Sequence, residues 1–296
     1  MDYKYKYIVS LDNIVMSVVS CIVEGGLGNQ LFQIITCISY GLEHRKKIII
    51  PYFDKSPGIT SRYTYWDSFL KPFIIFTNKN NDNIIPHKMS IYKELQFAYD
   101  KLPIYTDSVC LTGYFQSYKY FDSNISKILQ MLRFDNCKSK IIQENKSYFD
   151  DVINDVCAIH FRLGDYKHLQ QYHPLLDITY YINALTKLCE STNISRVLYF
   201  CQEHDNDIVL QHVNTIQSIF HHIEFIKVSD TICDWKQMVM MTHCNHHIIA
   251  NSTFSWWGAY LSSSINKKVY YPHVWFGPKN SHHIVDNLFP YEWEKI

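Results

Sequence analysis

The stretch VVSCIVEGGLGNQ, residues 18–30, decides how this chain folds. Its mostly apolar first part, residues 18–23, predicts a buried strand, and the glycines that follow predict a tight turn. An apolar helix is predicted over residues 31–43, and a second strand over residues 47–51. A strand, a glycine turn, a helix and a strand in this order are typical of the first unit of a parallel α/β sheet.

The rest of the chain extends this pattern. Residues 54–103 show no clear period and predict irregular structure with short helices, before a strand at residues 108–113 and a helix at residues 121–134. In the second half, strands are predicted at residues 156–161, 196–202, 223–228, 247–250 and 268–271, and helices at residues 179–190, 207–215, 234–242 and 254–262. Such alternation predicts a parallel sheet covered on both faces. A polar stretch at residues 140–152 predicts the boundary between two domains.

The charge balance limits the classes of partner. The 296 residues include 28 Lys and Arg and 28 Asp and Glu, so the formal net charge is zero. A neutral chain has no overall field to attract nucleic acid or an anionic membrane, and we expect neither as a partner. Any anion must therefore be held by a local group of residues.

The cysteines and the N-terminal residues predict a cytoplasmic location. The chain has nine cysteines, an odd number without a C-x-x-C pair, which favours free thiols in a reducing compartment. The apolar run at residues 14–23 is about half as long as a membrane-spanning helix and lacks a cleavage-site pattern. We therefore expect neither a signal peptide nor a membrane anchor.

Three polar segments follow predicted strands. In open parallel sheets, ligands bind beyond the carboxyl ends of strands, where helix N-termini present free N–H groups. In the first segment, Gly28 allows a ligand to approach closely, and Asn29 and Gln30 supply amides, although a plain strand-to-helix turn has the same composition. In the second segment, strand alternation places His160 and Arg162 on one face.

The side chains of these segments suit a phosphate group. The guanidinium of Arg162 matches a phosphate or a carboxylate, and an ion pair with Asp165 is the alternative explanation. In the third segment, Asn251, Ser252 and Thr253 are good helix N-cap residues, and the same hydroxyl and N–H groups would also hold an anion. Together, the three segments predict a nucleotide-phosphate cleft between two domains.

Four segments resemble glycosyltransferase family 11, the α-1,2-fucosyltransferases. They are GGLGNQLFQ at residues 25–33, GYFQSYKYF at residues 113–121, HFRLGDY at residues 160–166 and NSTFSWWGAYL at residues 251–261. The resemblance implies an α/β, GT-B-like fold of two Rossmann-like domains with a cleft between them. Residues 1–150 would form the N-terminal acceptor-side domain, and residues 151–296 the C-terminal domain that binds the nucleotide sugar.

The resemblance also implies an activity. The enzyme would move L-fucose from GDP-fucose to a hydroxyl of a galactose-like glycan acceptor, in α-1,2 linkage, with inversion and with neither metal nor cofactor. Arg162 would neutralise the charge that builds on the β-phosphate as GDP leaves, and His160 would support that site. The donor would contact residues from both halves of the chain, namely Gly28, Asn29, Asn251, Ser252, Thr253, Phe254 and Ser255.

The acceptor side is less specified by the sequence. Asp165 is the first candidate for the group that accepts the proton of the attacking hydroxyl, and His160 is the second. Acceptor contacts are expected from residues 56–65 and 168–173. The triplet Asp-Asn-Asp at residues 205–207 resembles a manganese-binding D-x-D motif, but Asp is also common at the start of a helix, and we predict no metal site.

Two positions depart from the family pattern. The family usually has His-x-Arg-Arg-Gly-Asp, and Leu163 stands here in place of the second arginine. Residues 201–204 read CQEH, where the family often has Ser-Asp-Asp. Strand alternation places Leu163 on the face opposite Arg162. These departures leave open a transferase that uses another nucleotide-deoxyhexose, or a catalytically silent protein that binds a sugar nucleotide.

Overall fold

The computed structural model describes residues 16–56, 62–152 and 154–296, and within them the chain forms two parallel sheets. The first sheet has the order β2-β1-β4-β3, with β1 (Val18–Cys21), β2 (Lys47–Ile48), β3 (Ser90–Lys93) and β4 (Val109–Thr112). The second has the order β10-β9-β8-β5-β6-β7, with β5 (Asp155–His160), β6 (Ile194–Phe200), β7 (Glu224–Lys227), β8 (His246–Ile248), β9 (Val269–Tyr271) and β10 (Glu294–Lys295).

Helices connect and cover these strands. They are α1 (Leu27–Glu43), α2 (Ile125–Leu132), α3 (Phe134–Glu144), α4 (Ile178–Cys189), α5 (Asn206–Gln217), α6 (Asp234–Met241) and α7 (Thr253–Tyr260). The predicted α/β, GT-B-like architecture with two parallel sheets is confirmed. Among the helices in the described part of the chain, none combines the length and apolar content that crossing a bilayer requires.

Some predicted bounds are wrong. The first helix begins at Leu27 instead of residue 31, so Gly28, Asn29 and Gln30 belong to its first turn. The stretch predicted to be irregular contains β3, and α3 extends into the polar stretch predicted to be a domain boundary. All strands of the first sheet precede residue 150 in the sequence, and all strands of the second sheet follow it. The division into two domains at that residue stays a prediction.

The second sheet is covered on both faces, as predicted. Along β5, Cys157 and Ile159 pack into an apolar cluster with α4 and α5, and Phe161 and Leu163 beyond the strand continue the same face. Val156 and Ala158 face the opposite cluster, which contains residues of α6 and α7. This period of two places Arg162 on the face away from Leu163.

Helix α1 lies between the two sheets. Fourteen of its seventeen residues are buried, which is the pattern of a central helix and not of a surface helix. Phe32 packs against Trp256 and Trp257 of α7, with ring centroids 4.6 and 4.9 Å apart. The resulting apolar cluster is continuous from the first sheet through α1 and α7 to the second sheet.

At Gly28, the backbone of α1 lies directly against the backbone of α7. A Cβ at this position would lie 2.5 Å from the backbone carbonyl carbon of Thr253, and the Nε1–H of Trp257 donates a hydrogen bond to the Gly28 carbonyl at 2.9 Å. No side chain fits here without moving backbone. Only glycine is therefore compatible with the observed spacing of the two helices.

We predict that Gly28→Ala lowers the free energy of unfolding by about 1–3 kcal/mol, because the new methyl group overpacks the contact with Thr253. Urea denaturation of the variant and the wild type measures this difference. Gly26→Ala is the matched control, since a Cβ there meets nothing within 4 Å. As Gly26 is the N-cap of α1, we expect the control to cost no more than about 1 kcal/mol. Equal effects of the two variants would contradict the proposed contact.

Candidate active site

Both sheets reverse their strand order at points that face one another. In the second sheet, β5 has β6 on one side and β8 on the other, and in the first sheet β1 lies between β2 and β4. Ligands of open parallel sheets bind at such reversals, beyond the carboxyl ends of the strands. Side chains at or beyond the carboxyl ends of β1, β4, β5 and β8 contact one another here: Gln116 and Thr253 both contact Asn29, and His160 contacts Ser255. This is the region in which the sequence predicts a cleft.

A cavity of about 410 Å³ opens beside the loops that follow β5 and β6. It is lined by Arg62, Gly164, Asp165, Lys167, His168, Gln202 and His204. Two of these side chains are permanent cations, two are imidazoles and one is a carboxylate. The lining suits an anionic ligand, because clustered cations within a low-dielectric wall strengthen the local field.

Arg162 lies beside this cavity and is held by three partners, two of which, Gln202 and Asp165, line it. Its Nη1 donates to Oε1 of Gln202 at 2.6 Å, its Nη2 donates to Oδ1 of Asp165, and its guanidinium carbon lies 4.8 Å from the centre of the Tyr166 ring. The ion pair that the sequence offered as an alternative to anion binding is therefore formed. A guanidinium has five N–H donors, and these contacts occupy only part of that capacity. Arg162 is thus oriented and still able to bind an anion.

Asp205 fixes the loop that carries Arg162. This carboxylate is fully buried, its Oδ2 accepts a hydrogen bond from the Gly164 N–H at 2.7 Å, and its Oδ1 lies 2.6 Å from Nζ of Lys167. Gly164 has φ of +40°, and a Cβ there would lie 2.0 Å from Oε1 of Gln202. Asp205 is also the N-cap residue of α5. The carboxylate of Asp205, the first Asp of the D-x-D triplet, is therefore occupied by contacts to protein groups. The absence of a metal requirement stays a prediction.

His160 is buried at the end of β5. Its Nδ1 lies 2.9 Å from Oγ of Ser255, and its ring is 5.2 Å from that of Phe254. Burial, and to a lesser extent the positive charge of Arg162, lower the pKa of His160 from 6.5 to about 3. The imidazole is therefore neutral at physiological pH and a weak base. This favours a positioning role for His160 over that of a general base.

Asn29 joins the two halves of the chain. Its Oδ1 accepts hydrogen bonds from Oγ1 of Thr253 at 2.9 Å and from Nε2 of Gln116 at 3.0 Å. With both donors on the oxygen, the amide orientation is fixed, and Nδ2 lies beside Gly25 in the glycine turn. Asn29 therefore presents an amide N–H group toward that turn, where it suits an oxygen of a ligand.

Gln30 has a structural task that the sequence did not reveal. Its Nε2 donates to the carbonyls of Gly25 and Tyr63, both at 2.9 Å, and the side chain is fully buried. Gln33 acts in the same way, because its Oε1 accepts the N–H of Glu24 at 2.9 Å. These two amides hold the glycine turn, and the sequence interpretation of Gln30 as a ligand-facing amide is wrong.

The third predicted segment is a helix cap as well as part of the site. Oγ of Ser252 accepts a hydrogen bond from the N–H of Phe254 at 3.4 Å, so Ser252 caps the helix, which is the alternative role that the sequence offered. Nδ2 of Asn251 donates to the carbonyl of Pro174 at 2.9 Å, while its buried Oδ1 finds no hydrogen-bond partner among the described residues. Thr253 and Ser255 contact Asn29 and His160, respectively. The segment thus connects the other two predicted segments.

Leu163 contributes no charge to this region. It is buried in the apolar cluster beneath α4 and α5, on the face opposite Arg162, as the alternation predicts.

Several residues at the site were not among those predicted from the sequence. Gln116 belongs to a segment that resembles the family, and Gln202 is the last residue of a predicted strand, so both had a positional signal. Arg62 lies in the predicted acceptor segment, residues 56–65, but the sequence did not mark it as an anion-binding residue. Part of the predicted acceptor segment, residues 57–61, lies outside the described residues, as do residues 1–15 of the predicted first domain.

Comparison with known proteins assigns the chain to a family. Residues 67–295 match the profile of glycosyl transferase family 11. The chain belongs to glycosyl transferase family 11. The O-antigen biosynthesis glycosyltransferase WbnK of Escherichia coli is 28% identical over 178 residues, which cover 58% of this chain and 56% of WbnK, little more than half of that relative. An alpha-1,2-colitosyltransferase of Escherichia coli is 26% identical over 281 residues, which cover 88% of this chain and 93% of that protein.

Solved structures with a similar chain path are distant in sequence. POFUT1 in complex with GDP-fucose has a TM-score of 0.48 and 12% identity, and the match covers 86% of this chain and 97% of that one. The fucosyltransferase NodZ from Bradyrhizobium has a TM-score of 0.46 and 11% identity, and the match covers 83% and 92%, respectively.

The buried imidazole of this family 11 protein predicts a pH-dependent stability. Between pH 6.5 and about 3, the unfolded chain binds a proton at His160 that the folded chain excludes. The free energy of unfolding therefore falls as the pH drops through this window, by up to about 1.4 kcal/mol per pH unit for this group. His160→Asn keeps a polar atom near Ser255 but removes the group that titrates. The change of its unfolding free energy with pH should therefore be smaller, by the amount that one proton contributes.

Urea denaturation of both proteins in a series of buffers from about pH 7 to about pH 5 measures the two slopes. His221→Asn, the same substitution at an exposed position away from the site, is the control. Other buried histidines, such as His247, contribute equally to all three proteins, so the difference isolates His160. Identical slopes for wild type and His160→Asn would show that His160 is not held neutral.

Proposed function

We propose that this chain transfers L-fucose from GDP-fucose to a hydroxyl of a galactose-like acceptor, in α-1,2 linkage, with inversion and without a metal. Membership of glycosyl transferase family 11 supports transfer of a sugar. One observation supports the diphosphate leaving group: Arg162 lies just beyond the carboxyl end of β5, fixed by Gln202, Asp165 and Tyr166, beside a cavity lined with cations. We infer from this geometry that the cavity binds the diphosphate of a nucleotide sugar.

The chemistry requires charge stabilisation at the leaving group. When the bond between the sugar carbon and the β-phosphate oxygen breaks, negative charge builds on the diphosphate. In our proposal, Arg162 neutralises that charge with N–H donors that are already oriented, so little reorganisation is needed during the reaction. The start of α7 would add backbone N–H groups near Thr253, and Asn29 would add its amide N–H from the other half of the chain.

Asp165 remains our first candidate for the general base. Its side chain is 44% exposed and lines the cavity, so an acceptor hydroxyl could reach the carboxylate. His160 is buried and its pKa is lowered to about 3, which makes it a poor proton acceptor at physiological pH. In an inverting reaction, the base removes the hydroxyl proton as the acceptor oxygen attacks the sugar carbon from the side opposite the diphosphate.

We predict that Arg162→Ala lowers turnover by about 10²- to 10³-fold, because the leaving diphosphate loses a pre-oriented cation. Arg162→Lys should recover only part of the activity, since an ammonium group keeps the charge but lacks the planar fork. Lys140→Ala is the control, because it removes one positive charge from an exposed side chain (78%) that does not line the cavity. The measurement is GDP release in the presence of acceptor, and near-normal turnover of Arg162→Ala would remove Arg162 from this role.

The donor sugar needs a direct test, because one relative is a colitosyltransferase and Leu163 departs from the family pattern. We expect purified protein to form product with GDP-fucose at a higher kcat/KM than with GDP-colitose or dTDP-linked deoxyhexoses, and product mass distinguishes these sugars. A higher value for another donor would establish the related-transferase alternative. Thermal stabilisation by a sugar nucleotide without turnover of any donor would establish the silent binding protein.

We predict that EDTA leaves the rate of transfer unchanged, because the mechanism uses no metal. A loss of activity in EDTA that added Mn²⁺ restores would contradict the metal-free mechanism.

A further inference from the structure

We propose that Arg62 is a second diphosphate-binding residue, supplied to the site from the N-terminal half of the chain. This inference rests on the proposed function, since it assumes that the cavity binds a nucleotide sugar. Arg62 lines the cavity together with Lys167 and Gln202. Its side chain is 46% exposed, and its Nη2 lies 3.5 Å from Oδ2 of Asp165. A ligand in the cavity can therefore reach the guanidinium.

Two guanidinium groups converge on one carboxylate. Oδ1 of Asp165 accepts a hydrogen bond from Arg162, while Oδ2 faces Arg62. Arg62 comes from the N-terminal half of the chain and Arg162 from the C-terminal half. A phosphate group makes the same bidentate contacts with guanidinium groups as a carboxylate does. A phosphate in the cavity beside Asp165 would meet the N–H donors of Arg62 and Arg162 that do not face this carboxylate.

The charge balance of the site depends on Arg62. Arg162 is paired with Asp165, and Lys167 is paired with the buried Asp205, so these four groups cancel. Leu163 is buried in an apolar cluster and adds no charge. When only the charges of Arg, Lys and Asp side chains are counted, Arg62 is the residue of the cavity lining that makes the site net positive. A diphosphate needs that excess, because a site of zero net charge offers it little electrostatic attraction.

Residues 54–56 and 62–64 pair in antiparallel fashion, and this pair, called the hairpin below, fixes the backbone of Arg62. The Ser56 N–H donates to the Arg62 carbonyl at 2.7 Å, and the Arg62 N–H donates to Oγ of Ser56 at 3.2 Å. The Thr64 N–H donates to the Asp54 carbonyl at 3.1 Å, and Lys55 and Tyr63 pair between these bonds as an antiparallel bridge. The backbone of Arg62 therefore has a defined position, although its side chain is exposed.

The hairpin is itself tied to both halves of the chain. Nε2 of Gln30 donates at 2.9 Å to the carbonyl of Tyr63, the residue next to Arg62, and it also holds the glycine turn at Gly25. Two residues further on, the hydroxyl of Tyr65 donates to Oδ2 of Asp234 at 2.5 Å. These contacts place Arg62 between two fixed points. Gln30 is thus a positioning residue for Arg62.

Calorimetric titration with GDP and with guanosine tests the proposal on four full-length proteins: wild type, Arg62→Ala, Arg62→Lys and Lys55→Ala. We expect Arg62→Ala to bind GDP about 10- to 100-fold more weakly than wild type, since it loses charge-assisted contacts to phosphate. Its affinity for guanosine, which has no phosphate, should not change. Arg62→Lys should be intermediate. Lys55→Ala removes a cation from the same hairpin, one that does not line the cavity, and should bind GDP as wild type does.

The outcomes separate this inference from the proposed function. If wild type itself fails to bind GDP, the proposed function is wrong and the role of Arg62 falls with it. If wild type binds GDP and both Arg62 variants bind it equally well, the role of Arg62 is wrong while the proposed function stands. Equal loss of GDP and guanosine affinity in Arg62→Ala would also overturn the proposal, because it would indicate a disturbed hairpin. Partial recovery of GDP affinity in Arg62→Lys, with guanosine affinity unchanged in both variants, would support it.

Discussion

The approach of α1 to α7 at Gly28 is the constraint on which the rest of this structure depends. Backbone meets backbone at this point, because a Cβ on Gly28 would lie 2.5 Å from the carbonyl carbon of Thr253. Once the helices are this close, Trp257 can donate to the Gly28 carbonyl and Thr253 can donate to Asn29. These bonds bring the carboxyl ends of the two sheets to a common crevice. The site therefore depends on a helix contact as much as on the loops that line it.

Much of the polar chemistry near this crevice supports the backbone instead of facing the cavity. Gln30 and Gln33 hold the glycine turn, and Asp205 holds the loop at Gly164. Glu94 does the same for the loop after β4, because its carboxylate accepts the N–H groups of Tyr114 and Phe115. Burial raises the pKa of Glu94, and these two hydrogen bonds oppose that shift. A buried side chain with fixed partners can orient a loop without contacting its ligand.

The sequence predicts features that depend on local periodicity and misses those that depend on contacts across the fold. The opposite orientations of Arg162 and Leu163 follow from alternation along a strand that is buried on both faces. The start of α1 is misplaced because glycine disfavours helix interiors, whereas here a contact with α7 requires Gly28 within the first turn. Asp205 is recognisable from the sequence as a residue at the start of a helix, but its side chain makes no capping bond and instead bonds Gly164, 41 residues away. Arg62 is defined by a hairpin and by Gln30, neither of which has a periodic signal.

The apolar cluster that joins the sheets also limits how the molecule can move. A hinge that opened one sheet away from the other would have to expose Trp256 and Trp257, which are fully buried between them. A buried Trp covers about 150–250 Å², so at about 25 cal/mol per Å² exposing one costs about 4–6 kcal/mol. Two such exposures approach the total stability of a typical domain, about 5–15 kcal/mol. Entry and exit of a ligand must therefore depend on short segments at the rim of the cavity, whose motions are faster than those of domain hinges.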